Sequence, residues 1–101
     1  MPKGYWIVQV DVTDPEGYKA YVAANAAAFR KFGGRFLVRG GAAERPEGAM
    51  RSRIVVLEFP SYAAAVDCYR SADYAAALAL RLGRAEADVA IVEGYEGVQP
   101  G

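Results

Sequence analysis

The chain of 101 residues predicts an α+β fold with elements in the order β-α-β-β-α-β. Two stretches, Tyr5–Val12 and Arg53–Phe59, are rich in β-branched and aromatic residues and alternate at period two. Between them Pro15–Phe32 repeats its large side chains at helical spacing. The third observation concerns the strands' second face. In the first strand one parity reads Trp6, Val8, Val10, Val12 and the other Tyr5, Ile7, Gln9, Asp11. The later strand sets Val55, Leu57, Phe59 against Ile54, Val56, Glu58. A sheet open to water on one side should alternate cleanly between apolar and polar. This mixed second face predicts helices on one side of the sheet and a second copy of the chain on the other.

Each element has its own signals. Gly4–Val12 is the first strand. Asp14-Pro15 supplies a helix N-cap and a proline at the first helical position. That helix runs to Phe32 and stops at Gly33-Gly34, with Tyr18, Val22, Asn25, Phe29 and Phe32 as its buried stripe. Arg35–Arg39 is a short strand, and Gly40–Ser52 a long loop without periodicity. After Arg53–Phe59, Ser61 caps a helix whose stripe is Tyr62, Ala65, Val66 and Tyr69. Arg70-Ser71 marks a break, and Ser71 caps a further helix carrying Tyr74, Leu78, Arg81 and Leu82. Ala87–Gly94 is the last strand. This order is the ferredoxin-like split βαβ arrangement, a four-stranded antiparallel sheet with helices on one face. It forms a single domain over residues 1–101, with a core at about 3–96 and a tail at 97–101.

Composition narrows the function. Twelve basic residues balance twelve acidic ones, which gives no electrostatic reason to expect nucleic acid or an anionic membrane as partner. Without histidine there is no imidazole to act as base, metal ligand or haem ligand. The single cysteine, Cys68, excludes an intrachain disulfide and fits a reducing cytoplasm. Met1-Pro2-Lys3-Gly4 runs straight into a strand without a signal-peptide core, so the expected location is cytoplasmic. No cofactor and no metal are expected.

Six motifs then agree in order and spacing: Gly4-Tyr5-Trp6-Ile7, Asp11-Val12-Thr13-Asp14-Pro15, Phe36-Leu37-Val38-Arg39-Gly40-Gly41, Glu58-Phe59-Pro60-Ser61, Tyr69-Arg70-Ser71 and Ile91-Val92-Glu93-Gly94. Together they resemble the domain-of-unknown-function family DUF1330, in the dimeric α+β barrel superfamily, over about residues 3–96. The resemblance implies a ferredoxin-like protomer and a homodimer joined through sheet faces, but no reaction. Superfamily members include cofactor-independent quinol-type monooxygenases, muconolactone isomerases, haem-binding chlorite dismutases and YciI-like proteins, and transfer of any activity would be fold analogy. The haem and YciI-like types both need a histidine. One departure is Ala72, where the family habitually has proline after Ser71.

Asn25 is the sharpest single residue, an amide on an otherwise apolar stripe. It faces either a ligand pocket or an internal hydrogen-bond partner, the more usual arrangement. Arg39, before Gly40-Gly41, can offer a guanidinium fork to a carboxylate; an ion pair with Glu58, Glu93 or Asp11 is the commoner role. Arg81 can close a pocket on an acid, although such arginines usually snorkel over apolar surface. Tyr69 and Tyr74 are hydrogen-bond donors at positions first explained as core. Ser61 and Ser71 are caps, and Cys68 is an inert thiol. If Asp11, Glu58 or Glu93 converged in a dry cavity, one would gain a raised pKa and act as base. These residues predict a pocket between helices and sheet for a small aromatic or carboxylate metabolite. Asn25, Arg39, Tyr74 and Arg81 are its polar lining, and Tyr18 and Phe29 its apolar wall. Cofactor-free oxygenation or isomerisation suits this inventory; the alternative is a non-catalytic binding or interaction module.

Overall fold

Trp6 organises the interior, and its place in the sheet explains the rest. The computed structural model describes residues 2–101. Trp6 lies on β1 (Gly4–Val12), between β3 (Arg53–Phe59) and β4 (Ala85–Glu93), with β2 (Arg35–Arg39) outside β3. All three pairings are antiparallel, in the order β2-β3-β1-β4. Trp6 faces Leu57 and Ile91, Val8 faces Val55 and Val89, and Val10 faces Arg53 and Ala87. Directly opposed residues share a face, so this row looks toward the helices.

The helices cover that face as the capping residues dictate. The Asp14 side chain accepts from the Gly17 N–H at the start of α1 (Pro15–Phe32), and Gly33 closes the helix at φ 75°. A left-handed backbone suits glycine there. Ser61 caps α2 (Tyr62–Arg70), and Ser71 caps α3 (Ala72–Arg81) by accepting from the Tyr74 N–H. The Ser71 hydroxyl also donates to the Cys68 carbonyl at 2.7 Å, so the break forms without the proline. Under the helices the Trp6 ring meets Phe29, Phe59, Tyr69 and Tyr74 at centroid distances of 5.2, 5.4, 5.6 and 5.0 Å. Its indole N–H donates to the Ala65 carbonyl at 2.9 Å, so burial leaves no polar group stranded.

Four details differ from the sequence reading. β4 begins at Ala85 rather than Ala87 and ends at Glu93, because Asp11 and Val12 extend the ladder to Glu86 and Ala85. The buried positions of α1 include Tyr21 and Ala28, while Tyr18, Val22 and Phe32 are half-buried. Tyr62 is exposed on the first turn of α2, and Cys68 is buried there instead. Leu82 is exposed because the chain leaves helical geometry at that residue, with Ala77 taking its place in the core.

The opposite face of the sheet is divided. At one end the loop before β3 folds back over it. The Arg51 guanidinium meets Asp11 at 3.1 Å, Glu86 at 3.3 Å and Asp88 at 2.9 Å. The Ser52 N–H donates to Asp11 at 2.8 Å and the Arg51 N–H to Gln9 at 3.1 Å. The polar half of the face is thus satisfied within the chain. The other half leaves Ile7, Val38 and Val92 exposed.

Candidate functional site

Between α1, α3 and the inner face of the sheet lies a cavity that opens to solvent, with about 490 Å³ of empty space when the adjoining solvent is included. It is built in two zones by strand register. Trp6 and Leu57 lie at one level with Phe29 and Tyr74 above them, all buried. Four residues along β1, roughly 14 Å by strand rise, Val10 faces Arg53. Arg39 is opposite Val55, on the same face. Arg81 reaches the cavity from the last turn of α3. One end is therefore aromatic and the other cationic.

All six candidate residues line this one cavity: Asn25, Arg39, Tyr74, Arg81, Tyr18 and Phe29. Asn25 is 7% exposed and lies in the cavity wall. Arg81 does not snorkel. It is buried, with its guanidinium carbon 5.4 Å from the centre of the Tyr21 ring. Arg39 stacks over Phe36 at 4.1 Å on the exposed edge strand. Its expected ion pair is absent among the described residues, because Arg35 holds Glu58 at 2.9 Å and Arg51 holds Asp11.

Among the lining residues that the sequence reading did not assign to the site, two carry polar side chains that bear on its chemistry, Arg53 and Tyr21. Arg53 has the parity of Val55, Leu57 and Phe59, and a charged residue on the core side of a strand was the available signal. Its Nε is buried and has no hydrogen-bond partner among the described residues. Tyr21 lies beside the predicted stripe, one position before Val22, and its hydroxyl is 2.8 Å from that of Tyr74.

The electrostatics of the wall follow from its inventory. Three arginines line the cavity and no carboxylate does. No ion pair among the described residues involves Arg39, Arg53 or Arg81. Burial pushes the Tyr18 hydroxyl up and Tyr21 adds to this, while Arg53, Arg81 and Arg39 all pull it back. Tyr18 thus stands in the field of all three guanidiniums. Burial above all drives the Tyr74 hydroxyl far above the ordinary phenol range, so it serves as a donor and not as a base.

Asp11, Glu58 and Glu93, whose convergence the sequence left open, do not line the cavity. Asp11 and Glu58 sit on the outer face, as their parity with Tyr5 and Ile7 requires. Both have lowered pKa values, Asp11 chiefly through the Ser52 N–H and Glu58 chiefly through Arg35. Cys68 is fully buried away from the cavity, and burial pushes its thiol up to about 12. No helix among the described residues is long and apolar enough to cross a membrane.

The family model for the domain of unknown function DUF1330 matches residues 3–95. The chain belongs to the DUF1330 family. Solved structures with the same fold include RPA0582 of Rhodopseudomonas palustris, a protein of unknown function. It is 18% identical, with a TM-score of 0.75 over 95% of this DUF1330 chain and 85% of its own. SnoaB of Streptomyces nogalater, a cofactor-independent oxygenase, is 12% identical with a TM-score of 0.63 over 100% of both chains. A conserved protein from Bacteroides thetaiotaomicron, described as a possible oxidoreductase, is 13% identical. Its TM-score is 0.58 over 91% of this chain and 97% of its own. At these identities the likeness to the DUF1330 chain is one of fold, the ferredoxin-like α+β fold. No curated protein matches the sequence.

Proposed function

We propose that this protein binds a small aromatic acid in the cavity between its helices and sheet, and does so as a homodimer. The observation that carries the reading is the set of Arg39, Arg53 and Arg81 around a cavity with no carboxylate in its wall. Arg81 and the Nε of Arg53 are held near the protein interior without counter-charge, which is costly, and a bound carboxylate relieves that cost through paired N–H donors. Phe29, Tyr18 and Trp6 offer a ring its apolar surroundings, and the Asn25 amide offers a hydrogen bond to a carbonyl or hydroxyl.

The chemistry available to such a ligand is limited. The wall holds phenols, an amide and guanidiniums, which orient and polarise but do not remove a proton. Any turnover would therefore depend on the ligand's own reactivity, on desolvation and on oriented donors, as in cofactor-free oxygenation or isomerisation. The same inventory favours the second reading, a binding module without catalysis. The exposed apolar half of the outer sheet face, around Ile7 and Val92, is the surface through which the dimer forms.

Calorimetric titration with phenylacetate and with 2-phenylethanol, its uncharged counterpart, tests the site. Saturable binding of the acid alone, lost in Asn25→Leu and Arg39→Met proteins with unchanged circular dichroism, supports the reading. Binding of the alcohol as tightly as the acid, or of neither, refutes it. With binding established, oxygen consumption and product analysis then separate the enzyme from the binding module.

A further inference from the structure

The arginines of the cavity differ in place and in need. Arg39 and Arg53 rise from the neighbouring strands β2 and β3, and Arg81 descends from the helix layer above them. Arg81 is 9% exposed and Arg53 keeps a buried Nε without a partner. The site also makes room for Arg53. Gly40, at φ 66°, packs against its guanidinium, and a Cβ there would stand 2.7 Å from Nη1 and 2.9 Å from Cζ. Both the backbone angle and the space suit glycine at this position.

We infer that the ligand is a dicarboxylic acid with both carboxylates at one end of an apolar ring. This rests on the acid-binding reading of the same cavity and adds a charge count to it. Arg39 is exposed, so the guanidiniums with the least water are Arg81 and, through its buried Nε, Arg53, and one carboxylate answers only one of them. A second carboxylate answers the second. The first is held by Arg81 from the helix side with Arg39 beside it, and the second by Arg53 on the sheet. The ring then points down the roughly 14 Å of strand that separates the Arg53 level from the Trp6 level. Arg53 is the residue that sets the preference for two charges over one, since its buried Nε has no other claim on it among the described residues.

The probes are phenylmalonate, with two carboxylates on the carbon next to the ring, and phenylacetate, with one. Titrated at equal ionic strength, the wild-type protein should bind phenylmalonate on the order of tenfold more tightly. Arg53→Gln should reduce that ratio to near one while phenylacetate still binds, and Arg53→Lys should restore part of it. Equal affinities in the wild-type protein overturn the inference, as does an unchanged ratio in Arg53→Gln. Failure of both acids to bind is a different result: it removes the acid-binding reading itself. Folding of each variant is checked by the urea midpoint, so lost binding is not mistaken for lost structure.

Discussion

Tyr21 on α1 and Tyr74 on α3 place their hydroxyls 2.8 Å apart at the cavity wall, and both residues are buried. Each hydroxyl is the other's partner, which lets two phenols lie in an interior otherwise built of apolar rings. Tyr74→Phe leaves the Tyr21 hydroxyl buried alone, and Tyr21→Phe does the reverse. Each single variant should lose about 1–2 kcal/mol in urea unfolding. The double variant should lose less than the sum of the two, because no orphaned hydroxyl remains. Additive losses would show that the hydroxyls are not coupled.

Acid should weaken the fold by a predictable route. Asp11 and Glu58 have folded pKa values below their ordinary 3.8 and 4.5. A depressed folded pKa contributes stability above the ordinary value, and this is lost as pH falls through the folded value. The urea midpoint should therefore drop below about pH 4. Asp11→Asn should lower the midpoint at pH 7 and flatten this dependence. A wild-type midpoint constant down to pH 3 would contradict the assignment.

Cys68 is 0% exposed, and its thiol is pushed up to about 12. Labelling with a thiol-disulfide reagent requires both access and thiolate. Native protein at pH 8 should label slowly, at a rate that rises steeply with urea through the unfolding transition. Immediate stoichiometric labelling would place Cys68 at the surface.

The outer sheet face gives the dimer its test. Ile7 is 39% and Val92 48% exposed on neighbouring strands. Light scattering at micromolar concentration should report twice the chain mass. Ile7→Lys with Val92→Lys should reduce it to one chain mass while circular dichroism is retained. A wild-type monomer would remove the sheet-to-sheet pairing.

Much of the architecture was legible because local signals and burial agreed. Asp14-Pro15, Ser61 and Ser71 start helices where their side chains bond the first turn. The parity of Trp6, Val8 and Val10 also names the core face. Legibility failed where tertiary contact decides. Ala85 and Glu86 have little strand propensity, yet β1 pairs with them. Leu82 fits the helical period but follows the last helical residue. At the site, Asn25 and Arg81 announced themselves as polar residues on or beside apolar stripes. Arg53 did not, because a charge at the first position of a strand reads as its solvated end. The partners of Arg51 were equally hidden, since Asp11, Glu86 and Asp88 meet only when β1 and β4 pair.

The central claim is that the guanidiniums of Arg39, Arg53 and Arg81 await an acid. A crystal structure of the protein grown with phenylacetate tests this most directly. The carboxylate should lie within hydrogen-bond distance of at least one of these arginines, with the ring directed toward Phe29 and Trp6. An empty cavity whose arginines are instead bonded to carboxylates of a neighbouring subunit would contradict it.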